Sequence, residues 1–177
     1  MVVALIVVGT EPLISQVMSA NNLNAQALVN YTGKFTPPDF ALVKTDNQKV
    51  SLSDFRGKVV LVNFWASWCL PCIEEMPSVK RLAQAMRDKP FAVIGVNVGE
   101  GKRRVQATAK RLQIDFPVLL DSDSSVFEGW GANLLPTAYV LDRSGRVRHI
   151  ARGPMEWDRA DLIEMLVQLA EERPQAE

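Results

Sequence analysis

The residues of this sequence most able to do chemistry are its two cysteines, Cys69 and Cys72, which are separated by Leu70 and Pro71. Two thiols at this spacing can form a structural disulfide, contribute to a metal site, or act as a redox pair that exchanges disulfides with another protein. They lie in the stretch VVLVNFWASWCLPCIEEMP, which runs from Val59 to Pro77. The surrounding sequence decides among these three kinds of chemistry.

A structural role for the sulfurs is poorly supported. A Cys-x-x-Cys bridge closes a very short loop and stabilises a fold by about 2 kcal/mol in the chain-entropy model, and a chain of 177 residues can bury a large core without it. A structural zinc site takes four Cys or His ligands, whereas this chain offers two cysteines and His149, which falls in a predicted strand. A c-type haem site requires His where Ile73 stands. The sequence therefore predicts no metal and no cofactor.

The position of the cysteines favours a redox centre. Cys69 follows a continuous apolar run, typical of a central strand, and begins a segment with the apolar spacing of a helix. Free N–H groups and the dipole at a helix start favour a negative charge, so we expect Cys69 to be exposed and its thiol to have a low pKa. Cys72 is expected to be more shielded. Cys69 would attack a partner disulfide, and Cys72 would then displace the reduced partner.

Alternating strand and helix patterns surround this centre and predict an α/β sandwich with a mixed sheet. The predicted strands lie at 59–66, 91–98 and 116–121, the helices at 69–87, 101–114, 124–132 and 158–172, and the hairpins at 41–52 and 137–153. The cationic run Lys102-Arg103-Arg104 is expected to be a solvated helix face, with a docking patch for an acidic partner as the alternative.

The composition indicates a globular domain and gives no reason to expect nucleic acid, because 20 basic residues balance 20 acidic ones. The N-terminal MVVALIVVG is apolar but shorter than the roughly 20 residues that cross a bilayer, and no basic residue precedes Lys34 as in a secretory signal. It is either the trailing half of a signal or anchor helix, or an apolar segment packed on the domain or a partner. We expect a segment and polar tether at 1–34, a domain at 35–172 and a tail at 173–177.

The stretch NFWASWCLPCIEEMP resembles the active-site segment of the TlpA/ResA/DsbE-like thiol-disulfide oxidoreductases, which have the thioredoxin fold. The stretches FTPPDFALVKTDNQKVSLSDFRGKVVLVNFWASWC and LLPTAYVLDRSGRV extend this resemblance over about residues 35–172. The resemblance implies a thioredoxin-like three-layer sandwich in which helices flank a central mixed β-sheet. It also implies an N-terminal β-hairpin and an inserted strand–helix element around residues 99–121.

The resemblance implies a substrate-binding surface next to the cysteines. Pro136 matches a proline that is cis in this fold, and a cis bond would let Leu135 offer main-chain hydrogen bonds to a substrate strand beside Cys69. The expected substrate-binding residues are Trp68, Leu135, Pro136 and Thr137.

Glu75 completes the expected catalytic set of Cys69, Cys72 and Glu75. It matches an acidic residue that lies near the cysteines in this family, and its spacing places it on the same helix face as Cys72. A partly buried carboxylate there could accept or return the proton of Cys72, whereas the alternative is a surface charge favoured by the helix dipole. Asn63 stands where thioredoxin carries a buried acid, which moves the proton relay toward Glu75 or water.

The resemblance implies a reductant of oxidised cysteine pairs in apocytochrome c or copper-site proteins, kept reduced by a membrane electron donor of the DsbD/CcdA type. Such a protein would lie on the periplasmic side of a bacterial inner membrane, anchored or secreted. Two alternatives remain open, namely a thioredoxin-fold module that binds a peptide or a metal without turnover, and a thiol peroxidase.

Overall fold

The computed structural model describes residues 28–33 and 35–172. The predictions made for the apolar N-terminal segment and for the tail at 173–177 lie outside the described residues.

The described residues form eight strands that pair into one mixed sheet with the order β1-β8-β7-β4-β5-β6-β2-β3. In the centre, β4 runs parallel to β5 and antiparallel to β7, and β5 runs parallel to β6. The strands are β1 (Leu28–Asn30), β2 (Ala41–Lys44), β3 (Lys49–Ser51), β4 (Val59–Trp65), β5 (Phe91–Val98), β6 (Val118–Asp121), β7 (Thr137–Leu141) and β8 (Val147–Arg152).

Helices cover both faces of this sheet. The described α-helices are α1 (Leu70–Ala85), α2 (Lys102–Arg111), α3 (Ser125–Gly129) and α4 (Ala160–Glu171), and a 3-10 helix spans Leu52–Phe55. Side chains alternate across a strand, so Val59 and Leu61 of β4 pack toward α1 and α4, while Val62 and Phe64 pack on the opposite face with residues near α3. All seven residues of β4 are buried, as expected for a strand covered on both sides.

The main elements predicted from the sequence are confirmed. The run at 59–66 forms the central strand, and the segment that begins with the cysteines forms α1 directly after it. The predicted N-terminal hairpin is the β2–β3 pair, which joins the sheet edge through β6. The predicted insertion is α2 followed by β6.

β1 lies in the N-terminal segment 1–34, for which the sequence predicts a polar tether. β1 pairs antiparallel with β8, with Leu28 opposite Ala151 and Asn30 opposite His149. Three residues are too few to show an alternating pattern, and the partner strand is distant in sequence, so local analysis could not identify β1. The sheet therefore begins earlier than residue 35.

No helix among residues 28–33 and 35–172 is both long enough and apolar enough to cross a bilayer.

Candidate active site

Cys69 and Cys72 form a disulfide at the start of α1, with an S–S distance of 2.12 Å. Cys69 is the N-cap residue of this helix, and its Sγ accepts a hydrogen bond from the backbone N–H of Cys72 at 3.3 Å. Pro71 lies in the first turn, where the absence of an N–H does not break an intrahelical hydrogen bond. The predicted strand–helix junction is therefore confirmed, and the structure describes the oxidised form of the pair.

Cys69 is more buried than its sequence position predicts, whereas Cys72 is shielded as predicted. Cys69 is 5% exposed and Cys72 is 0% exposed, so Cys69 is the more accessible of the two, but the expectation of an exposed Cys69 is wrong for the oxidised form. Both cysteines belong to an apolar cluster with Trp65 and Met76. A partner can therefore reach the disulfide only by contacting the narrow surface of Cys69.

Exposed apolar residues flank Cys69 in the sequence, and another precedes Leu135, which packs on the cysteine cluster. Trp68 is 67% exposed, Leu70 is 65% exposed and Leu134 is 41% exposed. Contiguous exposed apolar patches mark interaction surfaces, so the two exposed neighbours of Cys69 are candidate contacts for a partner. Trp65, in contrast, is fully buried and packs beneath the cysteines. Of the two tryptophans in the motif, only Trp68 can therefore contact a partner.

The structure brings the predicted proline segment to the cysteines. The Leu135–Pro136 peptide bond is cis, as the resemblance implied. Leu135 packs against the apolar cluster that contains both cysteines, and Thr137 begins β7 beside the end of β4. The Thr137 hydroxyl donates to the backbone oxygen of Leu134 at 2.8 Å, so this side chain supports the loop from within and is itself buried.

Glu75 belongs to α1, and its side chain is buried on the inner face of this helix rather than exposed on the surface. Its Oε1 accepts a hydrogen bond from the Asn63 side-chain amide at 2.9 Å, and its Oε2 accepts one from the backbone N–H of Met155 at 3.0 Å. Burial raises the pKa of Glu75 to about 7, although both hydrogen bonds act in the opposite direction. The carboxyl group can therefore gain or lose a proton near neutral pH.

Asn63 is recognisable in the sequence as a departure from thioredoxin, but its partner is not. The amide donates to Glu75, while its own Oδ1 has no hydrogen-bond partner among the described residues. Asn63 and Glu75 face each other across the β4–α1 packing, so the buried acid is supplied by the helix rather than by the strand.

We expect Asn63→Asp to destabilise the protein by about 2 kcal/mol at pH 8, because two buried carboxylates would then face each other without the amide donor. The destabilisation should become smaller at pH 5, where the pair can share a proton. Urea unfolding at both pH values measures this difference. Asn133→Asp makes the same chemical change at an exposed position and should have little effect, and an equal loss in both variants would contradict the assignment.

Glu100 holds the loop that precedes Cys69, and sequence analysis missed it. This buried carboxylate accepts hydrogen bonds from the backbone N–H and the hydroxyl of Ser67 and, at 2.8 Å, from the Asn97 side chain. Burial alone would raise the pKa of Glu100, but these hydrogen bonds and the charge of Arg104 together hold it below its ordinary value. A signal was present in the sequence, because Ser67 and Glu100 each follow one of two neighbouring parallel strands, whose ends meet at one sheet edge.

A mixed sheet whose central strand leads into a helix capped by a Cys-x-x-Cys disulfide defines the class of thioredoxin-fold thiol-disulfide oxidoreductases. Comparison with known proteins identifies the family of this chain. The chain belongs to the Redoxin family, whose model matches residues 7–166.

The similar relatives are consistent with this class. The chain is 38% identical over 120 residues to the thiol-disulfide oxidoreductase ResA of Geobacillus thermodenitrificans, covering 68% of this chain and 69% of that relative. It is 35% identical over 118 residues to ResA of Bacillus subtilis, covering 67% and 66% of the two chains. A crystal structure of a thioredoxin-family thiol:disulfide interchange protein from Chlorobium tepidum has a TM-score of 0.67 at 28% identity and covers 77% of this chain and 99% of its own. The predicted family and the predicted fold are both confirmed.

Proposed function

We propose that this protein reduces disulfides in client proteins of the cell envelope, such as apocytochrome c or copper-site proteins. The observation that carries the proposal is the disulfide at the N-cap of α1, in which Cys69 is the more accessible cysteine and lies between the exposed residues Trp68 and Leu70 in the sequence.

The proposed exchange has two balanced steps. In the reduced protein, the Cys69 thiolate attacks one sulfur of the client disulfide, forming a mixed disulfide and releasing the other client sulfur as a thiolate. The Cys72 thiolate then attacks the Cys69 sulfur and releases the second client thiolate. The client gains two electrons and, from solvent or protein groups, two protons, while the Cys69–Cys72 disulfide forms. An electron donor of the DsbD/CcdA type in the membrane would return the disulfide to the dithiol.

The start of α1 supports the attacking role of Cys69. The N–H of Cys72 points at the Cys69 sulfur, and an N-cap position places a thiolate where the helix dipole stabilises negative charge. Cys72 is fully buried, so it can meet the Cys69 sulfur inside the protein but cannot meet a client directly. This difference in burial supports the order of attack that the sequence predicts.

Glu75 is the proposed proton acceptor for Cys72. The carboxyl group follows Cys72 by one helical turn on α1, and its pKa near 7 matches the pH at which the exchange must operate. A group with a pKa near the working pH can take a proton from one thiol and return it in the reverse step. A carboxylate of ordinary acidity would be a much weaker base.

Client binding is assigned to the apolar surface and to the proline loop. Trp68 and Leu134 provide exposed apolar contacts, and the backbone of Leu135 is the proposed hydrogen-bonding edge for an extended client segment. Pro136 and Thr137 shape this loop from the buried side. The apolar sequence MVVALIVVG supports a tether to the periplasmic side of the inner membrane.

Reduction of insulin disulfides by dithiothreitol provides the test. The wild-type protein should accelerate the reaction, and Cys69→Ser should lose all of the acceleration while keeping the thermal unfolding temperature of the reduced wild-type protein. The redox potential of the pair should lie below about −200 mV, the range of reducing members of the fold, whereas a value near −120 mV would identify an oxidant. Consumption of hydrogen peroxide without insulin reduction would favour the peroxidase, and neither activity would favour a binding module.

A further inference from the structure

A groove lies directly beside the active site, on the side of Trp68 that faces α2. This open groove has a volume of about 640 Å³ and is lined by Trp68 and by the consecutive residues 99–104. Because Trp68 immediately precedes Cys69, a polypeptide that reaches the disulfide from this side must pass over the groove. The groove is therefore part of the surface that a client would meet.

The charge of the groove is not explained by the stability of α2. Lys102, Arg103 and Arg104 form the first turn of this helix, and that turn contains no acidic residue. Cations at a helix N-terminus oppose the helix dipole, whereas the cations Lys110 and Arg111 at the other end agree with it. The sequence thus places positive charge beside Trp68 at a position where helix formation disfavours it.

Most of this positive charge is not neutralised by the protein itself. Arg103 has no ion pair or side-chain hydrogen bond within residues 28–33 and 35–172. The exposed guanidinium of Arg104 lies 3.8 Å from Oε1 of Glu100, whose carboxylate already accepts three closer hydrogen bonds. Lys102 donates to the side-chain oxygen of Asn47 at 2.6 Å, which is a neutral partner.

We propose that this groove receives an acidic segment that flanks the reactive cysteine of the client. The proposal rests on the proposed function and specifies the chemistry of the client that the same site accepts. An apolar client residue would pack on Trp68, and acidic residues next to it would pair with Arg103 and Arg104. Such contacts at the edge of an interface select the partner and speed its association more than they strengthen the final complex.

The test uses short synthetic peptides that share one intramolecular Cys-x-x-Cys disulfide and differ only in their flanking residues, which are Glu, Gln or Lys. We expect kcat/KM of the full chain for the Glu peptide to exceed that for the Gln peptide by about threefold to tenfold at low ionic strength. The Lys peptide should be the poorest substrate. The differences should disappear in about 1 M salt, because the Debye length then falls to about 3 Å.

Three variants separate a local effect from a change in net charge. The double variant Arg103→Gln/Arg104→Gln should lose the preference for the Glu peptide, and Arg103→Gln alone should reduce it without touching the contact with Glu100. The control Lys110→Gln/Arg111→Gln removes the same charge at the far end of α2 and should keep the preference. Thermal unfolding confirms that each variant is folded.

The possible failures are distinguishable. If the wild-type protein reduces none of the peptides, the proposed function is wrong. If it reduces all of them at equal rates, the groove is a solvated helix face and this inference is wrong, while the proposed function stands. Equal loss of preference in the test and control variants would overturn the local assignment. A preference for glutathione disulfide without a preference among peptides would assign the groove to a small acidic disulfide and would also overturn it.

Discussion

Replacement of Cys72 by Ser should convert the protein into a stable covalent adduct with its client. The Cys69 thiolate can still attack a client disulfide, but no second thiol remains to displace the client, so the mixed disulfide accumulates. Turnover in the insulin assay should fall to the uncatalysed rate, and when the pre-reduced variant meets a client without dithiothreitol, up to one client molecule should be retained per protein. Non-reducing gel electrophoresis and mass spectrometry of the adduct, with release by dithiothreitol, measure this outcome.

The complementary variant is the control for this experiment. Cys69→Ser retains the Cys72 thiol, but Cys72 is fully buried, so it should form no adduct with a protein client. Adducts of equal yield in the two variants would mean that the sulfurs do not differ in access, and the assigned order of attack would be wrong. Adducts recovered from cells with Cys72→Ser would also identify the physiological client.

Glu75→Gln should remove a pH dependence of stability that has an unusual direction for a carboxyl group. The pKa of Glu75 is raised by burial from 4.5 to about 7 in the folded protein. Well below pH 4.5 the carboxyl group is protonated in both the folded and the unfolded protein, so it does not lower the free energy of unfolding. As the pH rises toward 7, the unfolded chain ionises first, so the free energy of unfolding falls by about 3 kcal/mol, at about 1.4 kcal/mol for each unit of pKa shift. Above pH 7 the loss is complete.

The comparison is made by urea unfolding of the oxidised protein between pH 4.5 and 8. The difference in stability between wild type and Glu75→Gln should change by about 3 kcal/mol across that range, with the variant gaining relative to the wild type as the pH rises. Glutamine fits the site, since Met155 can donate to its oxygen and Asn63 can turn its unpartnered Oδ1 toward the new amide. Glu74→Gln, at the exposed neighbouring position, should show no such change. A flat difference for Glu75→Gln would show that the carboxyl group titrates normally.

Features encoded by neighbouring residues were predictable from the sequence. The run of apolar residues in β4 and the helical spacing after Cys69 are local patterns, and together they positioned the disulfide at the N-cap correctly. The resemblance added the cis bond before Pro136, which no local pattern specifies. The hairpin β2–β3 was also predictable, because its turn residues and alternation lie within one short segment.

Features that depend on packing between distant segments were not predictable. The buried carboxyl group of Glu75 accepts hydrogen bonds from the Asn63 amide of β4 and from the N–H of Met155 in the loop after β8. Only the folded chain brings these three residues together. The burial of Cys69 was likewise missed, because helix position predicts charge stabilisation but not the apolar cluster that closes over the sulfur. The Glu100–Ser67 contact joins two loops whose proximity follows from the pairing of β4 with β5.

The pairing of β1 with β8 fixes the end of the sheet at which the described chain begins. Thr137 lies opposite Phe64 near the cysteines and opposite Arg152 on β8, and Ala151, the next residue, faces Leu28. The chain therefore enters the sheet at the cysteine end and runs away from it. Glu172, after α4, instead bonds to Arg148 and Arg143 near the opposite end. A tag joined directly to Leu28 should thus turn the disulfide toward a support, whereas a tag joined directly after Glu172 should leave it facing the solution.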